Sequence, residues 1–358
     1  MRTSLALGLT ALASPALGWG MFGHQITATI AQIYLLPSTR EAICGILPGT
    51  YKCNLAGVAS WPDEIRQDES YQNYSRLHFV NANDDDPPKN CSFGHSGWKD
   101  EQNILKGIVD MARDVSTTNN SPMRRDHALR FLVHFLGDIH QPFHLTGKYF
   151  GANNVKVLWK KGQKETNLHA VWDDNLISYQ VLFVNSSEYT TVLPTTPSPH
   201  TSISEATRNQ RIEAALRGIN YDPYIRYILL EGIYKEWTEE AKNWTSCPQA
   251  HDMHSAASAQ FAIGGSSSRF QDPIDLPAVC PLYWATQTHP LLCTSIWPEE
   301  LPNKTLPVLS EGYATSVRDA LIVEKQLAMG GVRLAGVLNG LFGSEEDKAT
   351  YGVVPLFT

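Results

Sequence analysis

The chain has 358 residues, 42% of them hydrophobic and 18% charged, and a formal net charge of −7. That composition excludes global disorder, and the acidic balance excludes a nucleic-acid clamp acting through a basic surface alone. A site whose positive charge is brought by metal ions stays open.

In chain order, residues 1–18 read first, as an export signal. Arg2 is a short basic region, 4–13 (SLALGLTALA) an apolar core, and Ala16-Leu17-Gly18 a small-x-small cleavage site, so the mature chain is expected to begin at Trp19. The apolar run is too short to span a bilayer. The later apolar stretch 319–342 is interrupted by Glu324, Lys325 and Arg333. The expectation is a secreted, extracellular monomer without stable membrane association.

Helical periodicity dominates the rest of the chain. The spacing of apolar residues predicts helices near 23–36, 38–47, 100–115, 123–140, 168–178, 204–219, 223–244, 273–292 and 310–341. Alternation in 154–159 (NVKVLW) predicts a strand in a small hairpin closed near Gly162. Two stretches, 186–203 and 263–272, read as surface loops by their Ser, Thr, Gly and Pro content. The expected architecture is all-α: a single mainly helical domain over 19–358, with that hairpin and long loops.

Six cysteines in an exported chain imply disulfides. Six allow fifteen pairings, and sequence favours only Cys44–Cys53, the least costly loop closure. Sequons at Asn73, Asn119, Asn185, Asn243 and Asn303 mark glycosylation sites. A sixth, at Asn90, is compromised by the neighbouring Cys91.

The densest chemical signal is His134-Phe-Leu-Gly-Asp138-Ile-His140-Gln-Pro142-Phe-His144. His134 and Asp138 are four apart and share a helix face. Pro142 must end or kink that helix, which frees His144 to point elsewhere. His169 and Asp173 repeat the four-residue spacing. Alone, either pair reads as a surface salt bridge; embedded together in apolar runs they read as ligands of a multi-zinc site, because an unpaired buried carboxylate is costly. Asp63, Arg66, His78 and His24 are further polar residues in apolar settings upstream. A terminus at Trp19 adds an amine and its own carbonyl oxygen, which chelate a metal in a five-membered ring. His251 and His254 read as solvated, and His140 as lying either behind the ligands or at the pocket rim. Asp84–Asp86 read as a solvated turn near the site, and His95, His127, His200 and His289 carry no role.

The set Trp19-Gly-x-x-Gly-His24, Trp61-x-Asp63-x-x-Arg66, His78-Phe79, His134-x-x-Gly-Asp138-x-x-Gln-Pro-x-His144 and Asn167-Leu-His169-x-x-Trp-Asp173 resembles the S1/P1 nuclease family, secreted zinc nucleases of the zinc phospholipase C type of fold. The resemblance is firm over 19–178 and patchy beyond, where 186–203 and 248–283 hold the excess length. It implies three Zn²⁺: one held by Asp63, His78, His134 and Asp138, one by the Trp19 amine and carbonyl, His24 and Asp138, and one by His144, His169 and Asp173. Asp63, Arg66 and Asp138 are then the catalytic residues, acting through a metal-activated hydroxide. The resemblance also implies a Cys91–Cys293 disulfide and a base pocket of Phe79, Asn81, Phe150 and Asn153. The implied activity is cleavage of single-stranded DNA and RNA to 5′-phosphate products, with 3′-nucleotides as further substrates. Asn81 stands where the family's fungal members usually carry Asp. A zinc phospholipase C-like lipid phosphodiesterase, and a secreted zinc-binding homologue with weak or lost catalysis, are the competing readings.

Overall fold

A computed structural model describes residues 19–184, 186–219, 221–247, 279–298, 308–309 and 312–357. The core is built by four helices: α1 (Met21–Ile33), α4 (Ile104–Ser116), α5 (Pro122–Asp138) and a C-terminal helix (Ile322–Phe342). Between α1 and α4 lie α2 (Pro37–Ile46) and the short α3 (Trp61–Ile65), followed by a 3-10 segment (Glu69–His78). After α5 come a 3-10 turn (Pro142–Leu145) and a hairpin of β1 (Lys156–Leu158) and β2 (Glu165–Asn167), antiparallel with Val157 opposite Thr166. Gly162, with φ +81, lies in the hairpin turn, as its sequence position suggested.

A helix at 168–183 (α6) is regular at both ends but widens into a π turn over Val171–Asn175. Next in the chain are α7 (Ile203–Leu216), α8 at 222–236, α9 (Pro281–Thr288), α10 (Gly312–Asp319), the core helix α11 (Ile322–Phe342) and α12 (Glu345–Tyr351). Among the described residues the hairpin is the one sheet, so the fold is all-α, as expected. No helix among the described residues is long and apolar enough to cross a membrane.

Local sequence explains the boundaries that shape the site. Ser121 caps α5 by accepting from Arg124 N at 3.3 Å, and Pro122 occupies the first helical turn, where its missing N–H costs nothing. At the other end Pro142 opens the next turn, capped by Gln141, whose Oε1 accepts from Phe143 N at 2.6 Å. The chain therefore reverses between Asp138 and His144. In α4, Asn103 caps Leu105 N, and Ile104, Ile108, Met111, Ala112 and Val115 form one buried stripe against α5. Helices α1 and α11 cross with no room for a side chain at Gly331, where a Cβ would stand 2.5 Å from Ile30 Cγ2.

Several expectations are corrected. The helix expected over 310–341 is two helices, because Leu321 adopts φ +49 and turns the chain between α10 and α11. Of the stretch 186–203, read as loop, Ser186–Tyr189 forms a helical turn. The helix expected over 273–292 is described from Pro281 to Thr288, with a separate turn at Leu291–Thr294. The 263–272 loop, His251 and His254 lie outside the described residues, as do Asn185 and Asn303; Asn73, Asn119 and Asn243 are exposed.

The disulfides are Cys44–Cys53, Cys91–Cys293 and Cys247–Cys280. The first two match the pairings expected from loop closure and from resemblance.

One buried acid sets a pH-dependent stability. Glu324 on α11 is 1% exposed and accepts from Tyr224 Oη at 2.8 Å, and burial pushes its carboxyl up to about 7 from 4.5. The folded state holds this proton more tightly than the unfolded chain. The resulting penalty is absent below about pH 4.5, grows as pH rises, and is complete above pH 7 at roughly 3 kcal/mol. Glu324→Gln keeps the acceptor for Tyr224. It is expected to raise Tm by several degrees at pH 8 and to leave it unchanged near pH 4, read by thermal melts across that range.

Candidate metal centre

Six separate segments converge where α1, α5 and α6 meet. His24 reaches in from α1, Asp63 from α3, His78 from the end of the 3-10 segment, and His134 and Asp138 from the buried face of α5. His144 comes from the turn after Pro142, and His169 and Asp173 from α6. Gly137 makes the approach of α1 possible: a Cβ there would stand 2.6 Å from His24 Nδ1.

Asp138 is the centre of the arrangement. Its Oδ2 lies 3.0 Å from His78 Nδ1 and 3.2 Å from His134 Nε2, while its Oδ1 lies 3.3 Å from His24 Nε2. One carboxylate thus faces two ligand groups. Asp63 Oδ1 completes the first, 3.7 Å from His78 Nδ1 and 3.6 Å from His134 Nε2. A third group stands beside them: His144, His169 and Asp173, with His169 Nε2 3.4 Å from Asp173 Oδ2. Three sets, His24/His134/Asp138, Asp63/His78/His134 and His144/His169/Asp173, each bring one candidate ligand atom per residue within 4.8 Å of the others.

Three imidazoles are oriented by backbone carbonyls. His134 Nδ1 donates to Ala59 O at 2.7 Å, His144 Nδ1 to His78 O at 2.6 Å, and His169 Nδ1 to Gly151 O at 2.5 Å. Each bond fixes the tautomer and turns the Nε2 lone pair inward, the arrangement that metal-binding histidines require. Gln141 Nε2 likewise holds Asp173 Oδ1 at 2.7 Å.

The electrostatics call for cations. Asp63 Oδ1, Asp138 Oδ1, His144 Nε2 and both ring nitrogens of His24 are buried and make no hydrogen bond. Such atoms are costly to bury unless something else satisfies them. Burial pushes the Asp173 carboxyl well above the usual range, and the neighbouring Asp174, Asp138 and Asp63 charges add to it. Burial also opposes charge on His134, yet the facing Asp138 and Asp63 anions prevail and raise it to about 9. Carboxylates that press protons onto their neighbours, in a dry pocket lined by imidazoles, are the donor set of Zn²⁺.

A cavity open to solvent adjoins the cluster, lined by Arg66, His78, Phe79, Asn81, His144, Phe150, Asn153 and His169 among others. Arg66 Nη1 lies 3.7 Å from Asp63 Oδ1. The four residues expected to form a base pocket therefore border one space beside the imidazoles, with Phe79 37% and Phe150 68% exposed.

Two further residues, Asp85 and His140, belong to this region. Asp85 is not solvated: its side chain is 1% exposed, accepting from Thr146 Oγ1 at 2.7 Å and His289 Nε2 at 3.0 Å. It ties α9 to the segment that borders the cavity. Asp85 also lies near Cys91, but the Cys91 disulfide leaves no thiolate to bind metal. Of the two positions open to His140, the one behind the cluster is found: its Nδ1 donates to Leu136 O at 2.8 Å and its Nε2 accepts from Arg333 at 2.7 Å.

The S1/P1 Nuclease family model matches residues 19–343. Endonuclease 3 of Arabidopsis thaliana is 29% identical over 351 residues, covering 96% of this chain and 95% of its own. Nuclease P1 of Penicillium citrinum is 29% identical over 336 residues, with 92% and 100% covered, and Nuclease S1 of Aspergillus oryzae 31% over 166 residues, with 46% and 57%. The chain belongs to the S1/P1 nuclease family and, by that membership, is a zinc-dependent endonuclease.

Proposed function

We propose that this chain is a secreted phosphodiesterase with three zinc ions, cleaving single-stranded DNA and RNA to 5′-phosphate products and releasing phosphate from 3′-nucleotides. The observation that carries the reading is the placement of Asp138, whose two oxygens face different imidazole groups while a third His/His/Asp group stands alongside. Asp63, His78, His134 and Asp138 would hold one ion, His24 and Asp138 a second with the Trp19 backbone, and His144, His169 and Asp173 the third. Bound there, the ions supply positive charge at the phosphodiester and lower the pKa of a water so that hydroxide is available at neutral pH.

The protein's own groups do the rest. Asp138 would be a ligand to two of the ions, and Asp63 keeps Arg66 beside the cluster, where its guanidinium would meet a phosphate oxygen. Phe79 and Phe150 offer ring faces to a base, each stack contributing about 1–3 kcal/mol with little regard to base identity. A base must be unpaired to enter such a slot, which favours single strands. Water supplies the nucleophile, so the 2′-hydroxyl is not needed and both nucleic acids react. Zinc determination on the purified protein, with end-group analysis of digested single-stranded DNA, tests the reading. Fewer than three zinc ions per chain, or 3′-phosphate ends, would end it.

The terminal chelate rests on the leader 1–18 being removed. Trp19 is fully buried, Gly20 N donates to Asp173 O at 3.0 Å, and His24 N donates to Gly20 O at 3.2 Å, so the Trp19 backbone is held among the ligands. A chain purified with residues retained before Trp19 is expected to hold one zinc fewer and to lose most activity. Full zinc content in that form would refute the chelate.

Asn81 offers both a donor and an acceptor where a carboxylate only accepts. Asn81→Asp is expected to shift the order of base preference in 3′-nucleotide hydrolysis by more than it changes the mean rate. Identical ranking of all four bases in the two forms would retire this role.

A further inference from the structure

The cavity is bordered by a run of left-handed backbone. Tyr149, Phe150, Gly151 and Ala152 have φ of +48, +59, +59 and +63. Three of them are not glycine, and each such conformation costs roughly 1–2 kcal/mol. The run is held by its surroundings: Phe150 N donates to Gly147 O at 3.1 Å, Ala152 N to Lys148 O at 2.9 Å, and Asn154 N to Tyr149 O at 3.0 Å. Gly151 O accepts from the ligand His169, and Ala152 is fully buried. The result is the outward presentation of two neighbouring aromatic rings, Phe150 68% and Tyr149 44% exposed. Strain that displays large apolar groups to water contributes nothing to folding and points to a ligand.

Phe150 borders the cavity, but Tyr149 does not. Its ring stands beside it, edge-on to Trp297 at 6.1 Å, with Lys148 Nζ 5.0 Å from its centre. Trp297 in turn packs edge-on against Phe143 at 5.1 Å, so the ring is braced from behind. Lys148 pairs with Asp86, and on the other flank of Gly147 the exposed Lys99 brings its Nζ to 3.3 Å from the point a Cβ would occupy. A ring face and two ammonium groups, continuous with the cavity, match an unpaired nucleobase with its phosphodiester.

We propose that Tyr149 stacks the base next to the one held at Phe79 and Phe150, with Lys148 and Lys99 meeting the intervening phosphate, so that the protein grips two consecutive nucleotides of a single strand. This rests on the phosphodiesterase reading above. The test compares KM for a 3′-mononucleotide, which has no second base, with KM for a tetranucleotide, in wild type, Tyr149→Ala and Tyr149→Phe.

The ratio of the tetranucleotide KM to the mononucleotide KM is expected to rise about 5- to 150-fold in Tyr149→Ala, the equivalent of about 1–3 kcal/mol per stacked base, and to return to wild type in Tyr149→Phe. KM does not depend on the fraction of folded protein, so poor folding of a variant leaves the ratio readable. An unchanged ratio, or an equal rise on both substrates, overturns the proposal. If wild type hydrolyses neither substrate, the reading of the metal centre fails, and tetranucleotide binding followed by tryptophan fluorescence decides the second position. Weaker binding in Tyr149→Ala alone upholds it, and equal binding in all three proteins overturns it.

Discussion

Replacing Asp138 with asparagine is expected to remove two metal ions at once and to abolish activity. Among the candidate ligands, Asp138 is the one whose two oxygens face different groups, at 3.0–3.3 Å from His78, His134 and His24. The amide keeps the volume but loses the charge, and its nitrogen donates where the carboxylate accepted. Partners that merely orient a ligand usually cost 10- to 100-fold in metal affinity when removed, so a shared ligand should cost more than about 100-fold at each of two positions. Elemental analysis of the purified variant should show one zinc per chain at His144, His169 and Asp173. Retention of full zinc content would show that Asp138 bridges nothing. The amide also withdraws the anion that, with Asp63, outweighs burial in raising His134 to about 9. The His134 pKa in the metal-free variant should therefore fall, which NMR titration of its ring can follow.

Chelation is expected to destabilise the fold as well as stop the chemistry. The candidate ligands come from α1, α3, α5, α6 and the segments between them, so each ion would link elements that are distant in sequence. A ligand that binds only the folded state, at a thousand times its dissociation constant, stabilises by about 4.1 kcal/mol per site. With three sites the sum approaches about 12 kcal/mol, comparable to the whole stability of a typical domain. EDTA should therefore lower Tm by well over ten degrees, at about 2–4 °C per kcal/mol, and added Zn²⁺ should restore it. Without the ions the buried Asp173 carboxyl is pushed up by burial first and by the neighbouring Asp174, Asp138 and Asp63 charges after it. An identical melting curve with and without chelator would exclude a coupled metal cluster.

Much of the centre was legible before any coordinates. A helical period of 3.6 obliges His134 and Asp138 to share one face, and the same holds for His169 and Asp173. Pro142 forces the chain to stop and turn, which sends His144 away from the α5 face. Such local rules depend on neighbours in sequence, and the structure obeys them. The alternation in 154–159 gave strand β1, shorter than the pattern by its ends.

Contacts between distant segments were not legible in this way. Asp85 reads as one of three acids in a turn, and Asp86 is indeed 53% exposed, but Asp85 is buried against His289, 204 residues away. No local pattern tells those two aspartates apart, because burial is decided by which helix arrives to cover them. The same limit applies to the break at Leu321 and the left-handed run at 149–152, where packing overrides the preference of L-residues for negative φ.

By itself the sequence determined the helical class, the ligand types and their spacing within each segment, since these are set by chain geometry over a few residues. Only the tertiary structure decided that Asp138 faces two groups, which nitrogen of each imidazole turns inward, and which aromatic rings stay in water. Those outcomes depend on backbone carbonyls, glycine gaps and packed helices contributed by remote parts of the chain.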